Sequence, residues 1–321
     1  MQTFEQLLQC IEQAISQLRF DCPPKSLYDP IAYTLALGGK RIRPALTLMA
    51  CNLYNKDITQ AIRPAIGLEV FHNFTLLHDD LMDEADVRRN QPTVHKKWNP
   101  NAAILSGDAM LIVAYQLMGE TQSALLKPVL DLFTQTALEI CGGQQYDMEF
   151  EKEETVTIEE YIEMIRLKTS VLLGAALEIG AYVADAPEAD RQALEVFGTN
   201  LGLAFQIQDD ILDVYGDEAT FGKAIGGDIL QNKKSLALLM ALHHANEDQL
   251  FRLQGWLHRT EYLPEEKIKA VTDIYNEIGV RELCQAEMDR YTQIATEALK
   301  QLSVDATPLL QLADKLHQRN D

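Results

Sequence analysis

The chain has 321 residues, 47% of them hydrophobic, which suffices for a sizeable buried core. Its formal net charge of −20 excludes a surface built to neutralise nucleic-acid phosphates or to hold anionic lipid, since both need a basic stripe. Any phosphate must therefore be bound locally.

The N-terminal stretch MQTFEQLLQCIEQAISQLRF sets apolar residues at helical spacing around Glu5 and Glu12. Without a basic start or an unbroken apolar core it reads as an amphipathic helix and not as a signal peptide. CPPKSLYDP, residues 22–30, predicts a break. GGKRIRP, residues 38–44, combines glycines that let backbone approach closely with a compact lysine charge and the planar arginine fork that suits phosphate oxygens. It is no Walker motif, because Thr34 stands where the first glycine is required and Arg41 where Ser or Thr would bind the metal. Its plainer reading is a basic patch at a helix start.

Further breaks fall at KDITQ, RRNQPTV, ADAPEAD (184–190), GDEATFGKAIGGD (216–228) and EYLPEE (261–266). Between them apolar residues recur at three and four positions, as in Ile158/Tyr161/Ile162/Ile165 and Leu194/Phe197/Leu201/Phe205, with no sustained period-two alternation. No break resembles a linker and no tandem repeat is present, so the prediction is a single all-α domain over residues 1–321 with roughly ten or more helices. No stretch reaches the roughly 18 unbroken apolar residues of a membrane span. Cys10, Cys22, Cys51, Cys141 and Cys284 are scattered and lack paired ligand spacing, which predicts reduced, buried thiols and a cytoplasmic protein.

FTLLHDDLMDEADVRRN, residues 74–90, sets three carboxylates within five positions. At about 100° per residue, taking His72 as zero puts Asp79 near −20°, Asp83 near +20° and Asp80 near +80°. Carboxylates four apart lie about 5 to 6 Å from each other, and at an effective dielectric near 20 their repulsion is on the order of 3 kcal/mol. Mg²⁺ fits that demand, because it takes one or two carboxylates and fills its other positions with water and substrate phosphates. A solvated acidic helix end is the bland alternative, and a second copy weighs against it. In FQIQDDILDVYGD, residues 205–217, Gln206, Asp209, Asp210 and Asp213 form one polar stripe in an apolar helix. Arg88 and Arg89 follow the first cluster; Lys223, Lys233 and Lys234 follow the second. Glu69 and His72 also form an ExxH of the di-iron kind, but that architecture needs a second ExxH, which the chain lacks.

Together GGKRIRP, LLHDDLMDEADVRRN, GDAML, RLKTS, FQIQDDILD and FGKAIGGDILQNKKS resemble, in order and spacing, the trans (E-type) isoprenyl diphosphate synthases of the polyprenyl synthetase type. The resemblance implies the isoprenoid synthase fold, helices around a central cavity with the two DDxxD helices facing across its mouth, in a homodimer. It implies Asp79, Asp83 and Asp209 as principal Mg²⁺ ligands, with Asp80, Asp210 and Asp213 in support and three ions around the allylic diphosphate. Arg88, Lys168, Lys223 and Lys233 match the basic residues that grip that diphosphate. Lys40, Arg43, His72 and Arg89 match the isopentenyl diphosphate site. The Lys168 carbonyl, Thr169 hydroxyl and Gln206 amide match dipoles aimed at an allylic cation. Three positions depart from the family pattern: Asn90 and Asn232 replace the usual glycines, and Ser235 the usual threonine.

In that family a large side chain five residues before the first Asp closes the floor of the product cavity. Here it is Phe74, followed by Thr75, with Phe71 as a deeper barrier. The expected product is C15 to C20, with C20 favoured, although an ideal helix turns Phe74 about 140° away from Asp79. A farnesyl diphosphate synthase is the nearest alternative. A terpene cyclase would lack the Lys40 and Arg43 site, and a noncatalytic subunit of a synthase dimer would lose one acidic cluster.

Overall fold

The computed structural model describes residues 2–216 and 225–317. Lys223 lies outside the described residues. Apart from one short hairpin, the described elements are helices, and the contacts divide the chain into two compact units.

The first unit comprises Met1–Gln135, Ala175–Glu195 and Ser303–Asp305. Helix α1 (Phe4–Ser16) opens on a capping box between Thr3 and Gln6 and buries Leu7, Ile11 and Ile15, spaced by four, against α3 (Ile42–Tyr54) and α4 (Thr59–Met82). Helix α2 (Lys25–Ala36) begins inside the break expected over 22–30 and carries Pro30 internally, so that break ends at Pro24. Helix α4 is the centre of this unit. Ala65, Ile66, Leu68, Val70 and Phe71 are buried on successive sides, as befits a helix apolar all round. It ends in a turn and the hairpin β1 (Val87–Arg88) and β2 (Gln91–Pro92), which leads into the single turn α5 (Val94–Lys97).

Helix α6 (Pro100–Met118) buries Ala103, Ser106, Gly107, Met110, Ala114 and Leu117 and packs on α4, where Gly107 meets His78 and Gly67 meets the Ala114 carbonyl, approaches that the missing side chains allow. By length and composition α6 could cross a membrane, with a mean hydropathy of 1.3; a search for unbroken apolar runs passes over it because Asp108 interrupts. In this fold its inner face is part of the core.

Helices α7 (Ser123–Phe150), α9 (Val171–Val183) and α10 (Glu188–Tyr215) contribute segments to both units. The second unit comprises Thr136–Gly174, Val196–Leu302 and Ala306–Asp321. Helix α8 (Ile158–Ile165), capped by a Thr157–Glu160 box, runs into a π-turn over Arg166–Ser170. After α10 come α11 (Gly227–Gln231), α12 (Leu236–His244), α13 (Glu247–Leu257), α14 (Pro264–Ile278), α15 (Val280–Leu299) and α16 (Thr307–His317). Leu236 to Ala241 of α12 are buried all round and pack with Tyr161, Ile165, Ile207, Ile211, Tyr275 and Met288.

All five cysteines are free thiols. Cys51 and Cys284 are buried, but Cys22 and Cys141 are exposed, which corrects the expectation that all are core thiols. Cysteine's frequent burial is a tendency that its position in the chain overrides.

Candidate active site

In the first unit the charged residues gather along α4. Asp79 and Asp80 occupy its last turn and Asp83 is its C-cap, where unpaired carbonyls already make the helix end negative. Three carboxylates there oppose the helix dipole, so the site calls for cations. Arg88, delivered by β1, supplies one: its Nε donates to both Asp80 oxygens at 2.7 and 2.8 Å, and an Nη lies 3.7 Å from Asp79. Burial raises Asp80 to about 6 against the pull of Arg88. Asp80 is thus a buried anchor for Arg88, whereas Asp83 is exposed.

The hairpin aims the arginines. Arg89 and Asn90 both take positive φ, 51° and 60°, the geometry of a two-residue type I′ turn, and asparagine tolerates the position where the family usually has glycine. Arg89 Nη1 donates to the Gly38 carbonyl, and a Cβ on Gly39 would sit 2.8 Å from the Arg89 guanidinium. The absent side chain at Gly39 is what admits Arg89 to the basic loop.

His72 lies on α4 one face-repeat before Asp79, about 10 Å along the axis. Arg43 Nη1 is 3.2 Å from His72 Nε2. Because arginine only donates, Nε2 is the acceptor and the ring proton sits on Nδ1. Burial and the surrounding arginines, Arg43 first, hold His72 well below its ordinary pKa, so it is neutral. Burial also lowers Arg43 to about 10, and its buried Nε has no partner among the described residues. Arg43 is therefore a desolvated cation with donor capacity to spare. Arg41, of the same basic string, turns inward instead to Glu12, Glu69 and the Leu35 carbonyl.

Phe74 points away from the acidic face, as the helical wheel expects, and packs against Phe71 (5.6 Å between ring centroids) and His78 (4.8 Å). Phe71 in turn meets Phe133, and Phe133 meets Tyr115. These rings form an aromatic wall. The Thr75 hydroxyl is occupied by the His72 carbonyl.

In the second unit the π-turn displaces Lys168 and Thr169 from regular helical positions, a distortion common at functional sites. Lys168 Nζ is paired with Asp147 of α7 at 2.5 Å. A Cβ on Gly143 would come within 2.3 Å of the Lys168 backbone nitrogen. Replacing Gly143 by alanine should therefore cost on the order of 1 to 3 kcal/mol and displace Lys168, read as a lowered melting temperature together with a raised substrate KM.

Asp209, Asp210 and Asp213 share the α10 stripe but not one environment. Asp210 is buried: its Oδ2 accepts from the Tyr161 hydroxyl at 2.5 Å and the Leu236 N–H at 2.9 Å, and Gln206 Nε2 lies 3.4 Å from Oδ1. Burial and Asp228 raise it to about 7. Asp213 accepts from the Asp228 N–H at 3.0 Å, at the start of α11. Asp210 and Asp213 therefore tie the two helix starts that bracket Lys233 to the acidic helix.

Three positions in this unit escaped sequence reasoning: Asp147, Tyr161 and Asp228. Asp147 had a faint signal, one turn beyond the Gly142–Gly143 pair that marks close approach to a neighbour. Among the described residues no group of three or more His, Cys, Asp or Glu could hold a metal alone. Asp79 and Asp83 nonetheless fit Mg²⁺: hard oxygen donors, two in one turn, leaving its remaining positions to water and phosphate.

Two acidic stripes with basic residues beside them have the donor chemistry for divalent cations and phosphate oxygens. The polyprenyl synthetase family profile matches residues 24–278. A short chain isoprenyl diphosphate synthase of Methanocaldococcus jannaschii is 41% identical over 249 residues, 77% of this chain and 76% of that protein. A geranylgeranyl diphosphate synthase of Methanosarcina mazei is 34% identical over 96% of this chain and 94% of its own. A crystal structure of a geranylgeranyl pyrophosphate synthase, 42% identical, superposes with a TM-score of 0.93 over 100% of both chains. The chain belongs to the polyprenyl synthetase family, with the all-α isoprenoid synthase fold, and is a prenyltransferase.

Proposed function

We propose that the chain, as one domain over residues 1–321, is a short-chain trans-prenyltransferase. It condenses isopentenyl diphosphate with an allylic diphosphate head to tail, 1′–4, to make geranylgeranyl diphosphate. The observation that carries this reading is the single face of α4. The acidic turn at Asp79–Asp83 and the neutral His72 with its desolvated Arg43 lie about 10 Å apart, one suited to metal-bound diphosphate and the other to a second anion.

Asp79, Asp83 and Asp209 would hold Mg²⁺, three ions when diphosphate is bound, with Asp80, Asp210 and Asp213 keeping Arg88 and the Lys233 segment in place. Mg²⁺ supplies charge that stabilises the departing diphosphate. Arg88, Lys168 and Lys233 bind the same group, and the proposal extends to Lys223. Its allylic C–O bond breaks, the resulting cation is attacked by the double bond of isopentenyl diphosphate, and a proton passes to the released diphosphate. The Lys168 carbonyl, Thr169 hydroxyl and Gln206 amide face the cation with dipoles and offer no nucleophile. Lys40, Arg43, His72 and Arg89 orient isopentenyl diphosphate. Incubation with Mg²⁺, isopentenyl diphosphate and each allylic primer in turn tests the reading: elongated products support it, while cyclised hydrocarbon or no product overturns it.

Phe74 begins the aromatic wall about 7 to 8 Å below Asp79, and Phe71 lies about 12 Å below. With Phe74→Ala, chromatography of the products should show chains longer by one or more isoprene units, bounded by Phe71 and Phe133. An unchanged length discards the assignment of Phe74 as floor.

The reading includes a cytoplasmic homodimer. Leu105 and Ile112, seven residues apart on α6, are 59% and 62% exposed, an apolar stripe suited to a second copy. Sedimentation should give the mass of two chains, and Leu105→Glu should give that of one.

A further inference from the structure

Lys267 of α14 is completely buried at 0% exposure, yet its ammonium meets no carboxylate among the described residues. It donates to Asn232 Oδ1 at 2.7 Å and to the Leu230 carbonyl at 3.4 Å, and lies 4.5 Å over the Tyr262 ring. A charge buried on neutral acceptors alone is costly, so what it holds matters. Its shorter bond holds the Asn232 side chain. Asn232 is the C-cap of α11 in left-handed backbone, φ 51° and ψ 34°. Its side chain is pinned at both ends, by Lys267 on the oxygen and through Nδ2 to the Leu257 carbonyl at 3.0 Å. That conformation lets the N–H groups of Asn232 and Lys233 close α11 onto the Ile229 and Asp228 carbonyls, at 3.3 and 2.9 Å. Lys233 follows directly. At its other end α11 is anchored by Asp213 of the acidic helix.

We propose that Lys267 is a positioning residue for the diphosphate grip: it locks Asn232 in the left-handed conformation and through it aims Lys233. This rests on the reading of Lys233 as an allylic diphosphate ligand. A glycine, usual at this position in the resembling family, adopts the conformation without help. Asparagine does so less freely, and the buried lysine secures it.

The test measures KM for the allylic and the isopentenyl substrate separately. Lys267→Met should raise the allylic KM about 5- to 10-fold, the effect of one ordinary net hydrogen bond, and leave the isopentenyl KM unchanged. Asn232→Gly alone should stay within about 2-fold of the parent, and in that background the Lys267→Met effect should shrink, because glycine no longer needs the latch. Asn232→Ala keeps Lys267 and removes the anchor, so it should raise the allylic KM even where Lys267→Met fails to fold. The inference is overturned if Lys267→Met and Asn232→Ala leave the allylic KM unchanged, or raise both KM values alike. Lys233→Ala without effect on the allylic KM would instead overturn the assignment of Lys233.

Discussion

Asp79→Asn should lower kcat/KM for the allylic substrate by a factor on the order of 10³ while leaving the melting temperature of the metal-free protein unchanged or slightly higher. The activity loss follows from the metal's role. Charge stabilisation by a bound divalent cation is worth several kcal/mol in the transition state, and about 4 kcal/mol corresponds to three orders of magnitude. The stability effect has the opposite sign because, without metal, Asp79 and Asp83 repel each other at a helix end that is already negative. Neutralising Asp79 relieves that repulsion and gives up only the long, partly exposed 3.7 Å contact with Arg88, which keeps its two shorter bonds to Asp80. Exposure of Asp83 screens the gain and keeps it small. The pairing of opposite signs separates this account from simple misfolding. A melting temperature that falls in step with activity would mean that Asp79 serves the fold, and parental activity would mean that it binds no catalytic metal.

Much of this was legible from residue spacing. Helical periodicity located the acidic stripes, and the punctuation at RRNQPTV became the hairpin that delivers Arg88 and Arg89. What spacing could not do was name the partners of each carboxylate. A helical wheel has no knowledge of what packs on each side. It turns Asp80 about 100° from Asp79, and Asp210 as far from Asp209, but only the fold shows that the second of each pair is buried and engaged by Arg88 or by Tyr161 and Leu236. The wheel was right that Phe74 leaves the acidic face, but only the neighbouring helices reveal an aromatic wall there. Lys267 carried no signal at all. It reads as one more lysine on the amphipathic helix α14, and its partner is a left-handed asparagine 35 positions away in sequence.

The basic string GGKRIRP shows the same limit and yields the second large effect. Its three cations read alike, but Arg41 is 4% exposed, with its guanidinium 2.6 Å from Glu69, itself 2% exposed. Arg41→Met should destabilise the protein by about 3 to 5 kcal/mol, because it strands a buried carboxylate. That is a large fraction of the roughly 5 to 15 kcal/mol that a domain possesses. Urea denaturation measures it, and Arg41→Met with Glu69→Gln should recover part of the loss by removing the stranded charge. Lys40→Ala, at an exposed position, should leave stability unchanged and raise the KM for isopentenyl diphosphate. If both single variants changed stability equally, the inward ion pair would contribute nothing beyond a surface charge. If they part as expected, two adjacent basic residues have separate tasks: Arg41 ties the glycine loop to α1 and α4, and Lys40 meets the substrate on the side that this tether leaves facing solvent.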